Sequence, residues 1–426
     1  MEALLHLIIG NGEKNQEKRN FIWNIIGSFL YAFASMVLSI AVVQIAGEDA
    51  GGIFTFAFTT FGQHMFMVAY FGIRPFQITD TGNQYSFGDY LGLRHITCAA
   101  AMATGFGYVM INGYTFEKTA VVLLMVAYKV IDALADTYEA EFQRSGRLYL
   151  TGKSNAFRTL LSVSVFLTVL ASTKVLVTAS VAAVAAQIAG FLIFDVLVIR
   201  KLPEIDWISQ ARKKFRLFKD NALLFLSAVL DFYIFSASKY AIERCMADRD
   251  MAVYGAIFMP TSVINLVAGF VIRPYLTKLA LSWELGEVKR YVRTIGQLAG
   301  IIAALSVLAV GGAWFLGIPV LSLLYSNIGY ALRECRPALV MIIIGGALNA
   351  YMNLFYYALV IMKLQPFIFT IYGIVGALAV LISTPFVING GIFGGALAYT
   401  ILTGTLAAMF GLVVLFGVIK KVRSKH

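Results

Sequence analysis

The sequence has few charged residues and few metal-binding side chains. Only 13% of its 426 residues are Asp, Glu, Lys or Arg, about half the share that soluble domains carry. Its four histidines and three cysteines show no zinc-type spacing, and it contains no GxxxxGK[ST] motif. These absences exclude a large soluble enzyme. They also argue against a zinc site, a disulfide framework and ATP-driven transport within the chain.

Long apolar runs take the place of charge. Hydrophobic residues make up 59% of the chain, and the mean hydropathy is +0.79. A membrane helix needs about 20 mostly apolar residues. Twelve stretches approach or exceed that length: 21–46, 52–73, 91–111, 117–138, 157–172, 175–199, 221–241, 252–272, 293–315, 338–361, 366–387 and 392–418. The runs are continuous rather than alternating, so we predict an all-α integral membrane protein and not an outer-membrane barrel.

The formal charge of +11 orients these stretches. Of the 34 Lys and Arg residues, 26 lie before the first stretch or in and next to the segments that follow even-numbered stretches. Six lie in the segments that follow odd-numbered stretches. Basic residues concentrate on the cytoplasmic side of a membrane. We therefore expect a multi-pass cell-membrane protein with both termini in the cytoplasm and no nucleic-acid partner. A short interfacial helix is expected over 3–9.

The chain divides into two similar halves, which we predict to be 1–219, ending in a basic inner linker at 200–219, and 220–426. Arg74-Pro75 closes the second stretch of one half, and Arg273-Pro274 closes the second stretch of the other, 199 residues later. Six spans return the chain to its starting side, so the halves would form a parallel repeat. Two lobes around a cleft are typical of transporters; the alternative is a twelve-helix scaffold without transport.

Residues 19–80 resemble the polysaccharide flippases of the multidrug/oligosaccharidyl-lipid/polysaccharide (MOP) superfamily. The resemblance rests on Asn24 and Gly27 in the first stretch, the Gly47 and Gly51 turn, and Gly72 and Arg74 with Gln77 and Asp80 after the second. The segments 142–158 and 390–406 are similar to the family's inner loop after span 4 and to its last span.

The resemblance implies a fold of two six-helix lobes arranged as a V, and a flippase of the Wzx type rather than an enzyme. Such a protein exports an undecaprenyl-pyrophosphate-linked oligosaccharide by alternating access. It uses no cofactor beyond H⁺ or Na⁺ coupling. We expect a monomer whose partners are this lipid-linked substrate, membrane lipids and other polysaccharide-assembly proteins.

Three other functions stay open. An ion-coupled multidrug exporter of the MATE type commonly carries an acid in span 1, and this span has none. A lipid II flippase would carry several arginines in its first two spans, where only Arg74 is found. A membrane polysaccharide polymerase needs a substantial outer loop, and the longest here, about 316–337, has a single acid, Glu334.

Charged residues inside the stretches are the candidate functional residues, because a charge in a membrane is costly unless it faces a polar cavity or another charge. Lys129, Asp132 and Asp136 lie three and four residues apart, so they share one helical face. They form either a self-neutralising network or a cavity wall. In the second case Lys129 would bind substrate and the two carboxylates would bind a coupling ion.

The seventh stretch carries Asp231 and Lys239. Asp231 has no partner in its own helix, so we expect it to be protonated, bound to a coupling ion, or paired with another helix. We predict that Lys239 binds substrate. Arg74 and Arg273 would bind the pyrophosphate at the inner side through their planar forks; the alternative is topological anchoring by positive charge.

Uncharged polar residues provide candidates for the sugar. Asn349 and Asn353 lie in the tenth stretch beside several tyrosines. Amides and aromatic faces suit sugar hydroxyls and rings, so we predict that both asparagines contact substrate. The alternative is that they join helices through hydrogen bonds.

Overall fold

The protein is all-helical across the residues that the structure describes. A computed structural model describes residue 9 and residues 16–80, 82–202 and 205–423, and this part of the chain contains no strand. The expected interfacial helix at 3–9 lies outside the described residues except for Ile9. Eight helical stretches are long and apolar enough to cross a membrane. The prediction of an all-α, multi-pass membrane protein is confirmed.

The helices follow the predicted spans, and we number them α1–α12 accordingly. Their bounds are α1 Gln16–Ala46, α2 Glu48–Phe54 with Thr55–Phe61 and Gly62–Tyr70, α3 Phe87–Asn112, α4 Phe116–Arg144, α5 Leu148–Thr173, α6 Leu176–Ile199, α7 Ala211–Cys245, α8 Asp248–Glu284, α9 Val288–Leu324 and α10 Arg336–Ile361. The stretch Gln365–Arg423 contains α11 and α12, which meet at the non-helical Gly391. Short helices Ile73–Thr79 and Gly329–Glu334 lie between these elements.

Most helices extend beyond the apolar stretches that predict them. Helix α5 begins at Leu148 rather than at 157, because polar side chains of its first turns, such as Ser154, are buried inside the protein. The break between α5 and α6 falls at Lys174, where a left-handed residue (φ 55°) ends α5. Apolar stretches mark the hydrocarbon layer, whereas the helices continue wherever packing or capping supports them.

Three helices contain a π-helical turn, a one-residue insertion often found at functional sites. These turns are Thr55–Phe61 in α2, Leu192–Val196 in α6 and Ala313–Gly317 in α9. The turn in α6 carries Asp195, which is fully buried. The inserted residue in α6 therefore lies where the carboxylate of Asp195 has to be oriented toward Arg158.

The chain forms two compact units, 1–229 and 230–426. The first has α4 as its central helix, with 19 buried residues along its length. The second has a core of apolar residues from α7 to α12, including Tyr291, Leu354 and Phe410. The predicted boundary at 219/220 differs from this division by ten residues, and both positions fall within α7. The predicted 219/220 boundary stays a prediction.

Helices α1 and α5 cross closely through two glycines. A Cβ atom on Gly152 would lie 2.1 Å from the carbonyl oxygen of Trp23, and one on Gly27 would lie 2.5 Å from that of Gly152. Backbone atoms cannot move aside as a flexible side chain can. The N-terminal unit therefore depends on small residues at this crossing.

We expect Gly152→Val to destabilise the protein by at least 1–3 kcal/mol, the usual range for overpacking. The measurement is thermal unfolding of the detergent-solubilised protein. Gly300→Val is the matched control, because a Cβ atom there meets nothing within 4 Å. Equal unfolding temperatures for the two variants would contradict the close crossing.

Candidate functional site

The N-terminal unit contains a buried cluster of charges centred on Arg158 of α5. Its guanidinium donates to Glu139 of α4 at 2.9 Å and to Asp195 of α6 at 2.9 Å, and it lies 3.5 Å from Asp132 of α4. Ser154 donates a further hydrogen bond to Asp195 at 2.6 Å. One arginine thus connects three helices through three carboxylates.

A second part of the cluster surrounds Asp136 of α4. Arg94 of α3 lies 3.1 Å from this carboxylate, and Arg74 contacts its other oxygen. Arg74 also reaches Glu139 at 3.4 Å, which links the two parts of the cluster. The side chain of Arg94 is fully buried, and it donates to Asp136, to the hydroxyl of Thr137 and to the carbonyl of Ala69.

Asp132 has neutral partners as well. Tyr31 of α1 donates to it at 3.1 Å, and Gln187 of α6 donates at 2.6 Å. With Lys129 the cluster contains four cations and four carboxylates. They are Arg74, Arg94, Lys129 and Arg158 against Asp132, Asp136, Glu139 and Asp195. The formal charges balance, although the pairing runs between helices and not only along α4.

The sequence-based prediction did not include Arg94 and Arg158 among the candidate functional residues. Both lie within the first few residues of an apolar stretch, where a basic residue is expected to flank the membrane. A signal was present, because each is an ionisable group inside a run that was assigned to a span. The structure turns both inward to the acids of α4.

The two Arg-Pro sites differ in structure despite their matching positions. After α2 the chain breaks at Phe71 and Gly72, both left-handed (φ 51° and 65°). Arg94 and Thr97 each donate to the carbonyl of Ala69 at 2.7 Å, which satisfies a backbone acceptor that the break leaves open. The break directs Arg74 toward Asp136.

No such break occurs before Arg273. Val271 and Ile272 are β-branched, so the left-handed conformation is strained for them, and the chain stays right-handed through Arg273 (φ −55°). Arg273 is exposed and makes no ion pair with a described carboxylate. Only one of the two predicted phosphate-binding arginines is therefore free in this structure.

The two lysines inside the spans each lie over a phenylalanine ring. Lys129 is 4.1 Å from the ring centroid of Phe58 in α2, and Lys239 of α7 is 3.9 Å from that of Phe258 in α8. Phe258 follows Phe58 by 200 residues, one more than the separation of the Arg-Pro sites. The π-helical turn in α2 would account for this extra residue.

Lys239 differs from Lys129 in its electrostatic surroundings. Lys129 has Asp132 as an electrostatic neighbour. Lys239 is only 7% exposed, and no charged side chain among the described residues interacts with it. The rings of Phe235 and Phe258 are its described cation–π neighbours. A buried ammonium without a counter-ion is costly, so this position is suited to an anion that arrives from outside the chain.

Asp231 of α7 is the candidate coupling-ion residue of the C-terminal unit. It interacts with the hydroxyl of Tyr372 and makes no ion pair with a described cation. Asn349 is buried and donates to Asn265 at 2.8 Å, which joins α10 to α8. Asn353 is half-buried and makes no hydrogen bond with a described residue through its side chain. The predicted site residues of this unit thus have few partners among the described residues.

Comparison with solved structures shows the fold. An inward-facing multidrug-resistance MATE transporter of the MOP superfamily covers 95% of this chain and 100% of its own length, at a TM-score of 0.67 and 10% identity. The chain folds as a MATE transporter does. A Vibrio cholerae MATE transporter covers 96% of this chain and 98% of its own at a TM-score of 0.61 and 14% identity.

A third similar structure is a MOP superfamily transporter from Pyrococcus furiosus, described as having a binding pocket of reversed polarity. It covers 99% of this chain and 98% of its own length, at a TM-score of 0.63 and 13% identity. No protein-family model matches the chain, and no curated protein matches it in sequence. At such identities the likeness concerns the fold.

We expect Arg158→Ala to destabilise the protein by about 3–5 kcal/mol, because it leaves buried carboxylates without their cation. Thermal unfolding in detergent measures this. Arg290→Ala is the control, since Arg290 also pairs with a carboxylate, Glu287 at 3.0 Å, but at an exposed site, where a pair contributes about 0–1 kcal/mol. A loss for Arg158→Ala no larger than that of the control would refute the structural role of the cluster.

Proposed function

We propose that the protein is a flippase for an anionic, lipid-linked oligosaccharide, which it moves from the inner to the outer leaflet by alternating access. The observation that carries this proposal is Lys239, a buried lysine without a counter-ion among the described residues. A pyrophosphate would supply the missing negative charge. A cationic drug would be repelled at the same position.

Arg273 supports capture of the same headgroup at the predicted cytoplasmic side. It is exposed and unpaired within the described part of the chain, so its planar fork can bind phosphate oxygens in two places. Arg74 would first have to leave Asp136 and Glu139. Of the two arginines, we therefore assign initial headgroup binding to Arg273, and a role for Arg74 would require the cluster to open.

The sugar would be bound by the uncharged polar groups of α10. Asn353 has unused hydrogen-bonding capacity, and the half-buried rings of Tyr356 and Tyr357 are close to it along the helix. Asn349 already bonds with Asn265, and an amide pair of this kind can also bind a hydroxyl group. Aromatic faces with amides next to them suit the apolar faces and hydroxyl groups of sugar rings.

Coupling to an ion is a separate part of the proposal. Asp231 is the leading candidate, because it makes no ion pair with a described cation. Asp132 and Asp136 were predicted for the same role, but each lies beside arginine and would have to lose that partner to bind an ion. Without any ion, an anion leaving an inside-negative cell is still driven outward by about 2.3 kcal/mol per charge per 100 mV.

The second candidate function is ion-coupled export of cationic amphiphiles, favoured by the fold shared with multidrug MATE transporters. Three expectations remain predictions. Both functions predict a cell-membrane protein with cytoplasmic termini and a monomeric state. Contacts with other polysaccharide-assembly proteins are expected of the flippase alone. The two functions separate by the charge of the substrate.

We expect Lys239→Met to slow flipping of a fluorescent polyprenyl-pyrophosphate-linked saccharide in proteoliposomes by about 10- to 100-fold, the effect of losing one charge-assisted hydrogen bond. Its unfolding temperature should be equal to or above that of the unmodified protein, because a buried unpaired charge is removed. Lys289→Met, at an exposed position, is the control and should flip at the original rate.

Two outcomes would contradict the flippase. One is an unchanged rate in Lys239→Met. The other is transport of ethidium, but not of the saccharide lipid, by the unmodified protein, which would establish the MATE-type alternative. Arg273→Ala in the same assay should raise the substrate concentration needed for half-maximal flipping, because Arg273 is assigned to initial binding.

For coupling, we expect Asp231→Asn to flip the same lipid under an imposed membrane potential but to lose any dependence of the rate on pH or Na⁺. An amide keeps the shape of the side chain and cannot bind a proton or a sodium ion as a carboxylate does. Glu284→Gln, at an exposed acid, should leave that dependence intact. Unchanged pH and Na⁺ dependence in Asp231→Asn would remove Asp231 from the coupling site and leave the flippase proposal standing.

A further inference from the structure

The linker before α7 is fixed in place by the N-terminal end of α3. The backbone N–H of Gly88 donates to the carbonyl of Asp206 at 3.1 Å. The carboxylate of Asp89 accepts the N–H of Gln210 at 2.7 Å. The hydroxyl of Ser86 donates to the carbonyl of Ile208. Three polar contacts, at alternate residues 206, 208 and 210, make this part of the linker a docked segment.

Close packing adds to these hydrogen bonds. A Cβ atom on Gly88 would lie 2.3 Å from the carbonyl oxygen of Trp207, so only glycine permits this approach. The ring of Trp207 lies edge-on to Phe87 with centroids 5.0 Å apart. The start of α7, a few residues later, therefore has a defined position relative to α3.

The docked segment leads into an exposed basic and aromatic helix face. Arg212, Phe215, Arg216 and Lys219 lie at spacings of three, four and seven residues, so they project from the same side of α7. All four are exposed, and Phe215 is 71% exposed. Leu217, on the opposite side, is fully buried. We call these four residues the RFRK face.

The depth of this face follows from helix geometry. The continuous apolar part of α7 begins at Ala222. At about 1.5 Å per residue, Lys219 lies about 5 Å and Arg212 about 15 Å from that point along the axis. The headgroup layer on each side of a bilayer is about 5–8 Å thick. The RFRK face thus passes from the phosphate layer into the adjacent water.

The charges of the RFRK face are almost all positive. Asp220 is the acid nearest to it in sequence, and its contact with Arg216 is long, at 3.9 Å, and exposed on both sides. Such a pair is weak in water. Basic side chains around an aromatic ring at this depth are typical of segments that bind anionic lipids.

We propose that the RFRK face binds the headgroups of anionic phospholipids in the cytoplasmic leaflet, and that docking of the linker on α3 holds it there. The occupant is a lipid surface because the face begins at headgroup depth, its long basic side chains can extend back toward the phosphates, and it combines cations with an exposed ring. A site for free phosphate would need no aromatic ring. The proposal does not depend on which substrate the protein transports.

The test measures the unfolding temperature of the full-length protein in detergent during titration with phosphatidylglycerol or phosphatidylcholine. A ligand that binds the folded state raises this temperature. We expect a larger rise with phosphatidylglycerol. The double variant Arg212→Glu/Arg216→Glu should need on the order of tenfold more phosphatidylglycerol for the same rise. Phe215→Ser should show a smaller loss in the same direction.

The matched control is Lys278→Glu/Lys289→Glu, which makes the same change in charge at two exposed lysines of the C-terminal unit. It should respond to phosphatidylglycerol as the unmodified protein does. Equal losses in both double variants would show a general charge effect and overturn the proposal. So would full retention of the response in Arg212→Glu/Arg216→Glu. An equal rise with phosphatidylcholine, or with inorganic phosphate, would also overturn it.

Discussion

The pairing of Arg158 with Asp195, Glu139 and Asp132 is the interaction on which the N-terminal unit depends. It connects α4, α5 and α6 in a region where an uncompensated charge is strongly unfavourable. Arg94 extends the same logic to α3 and to the break after α2, since one guanidinium binds both Asp136 and the open carbonyl of Ala69. The ion cluster and the backbone geometry are therefore parts of one arrangement.

The C-terminal unit is built differently. Lys239 and Asp231 are inside α7 and lack opposite charges among the described residues. They lie eight residues apart, or about 12 Å along the helix, which is too far for an ion pair. A buried charge that the protein does not neutralise has to be neutralised by a ligand, by a proton or by water. This asymmetry is the reason why the substrate and coupling-ion sites are proposed for the C-terminal unit.

The sequence predicted the helices well, because bilayer thickness fixes the length of an apolar run and basic residues mark its ends. It also placed Lys129, Asp132 and Asp136 correctly on one helical face. It could not identify their partners, because which helices pack against α4 does not follow from the periodicity of α4 alone. Arg94 and Arg158 lie where basic residues that flank a membrane span are expected, so only the tertiary structure distinguishes them from ordinary flanking residues.

The two Arg-Pro sites show a further limit of reasoning from pattern. Their positions in the two halves match, but Gly72 permits a left-handed break that Val271 and Ile272 disfavour. One residue type before the motif decides whether the arginine enters the ion cluster or stays exposed. Internal similarity between halves therefore predicts topology more reliably than it predicts the role of a side chain.

The separation of Lys239 and Asp231 also bears on energetics. An anion bound at Lys239 cancels the positive field that Lys239 exerts on Asp231, at about 1 kcal/mol for this distance at an effective dielectric of 20. Electrostatics alone thus favours simultaneous binding of the anion and a cation. In an exchange mechanism, by contrast, substrate and coupling ion take turns, so binding of one has to exclude the other. Exchange would have to come from a conformational difference between inward-open and outward-open states. For an anionic headgroup in an inside-negative cell, outward movement along the potential needs no such exchange, so the proposed recognition of an anion at Lys239 does not require ion coupling at Asp231.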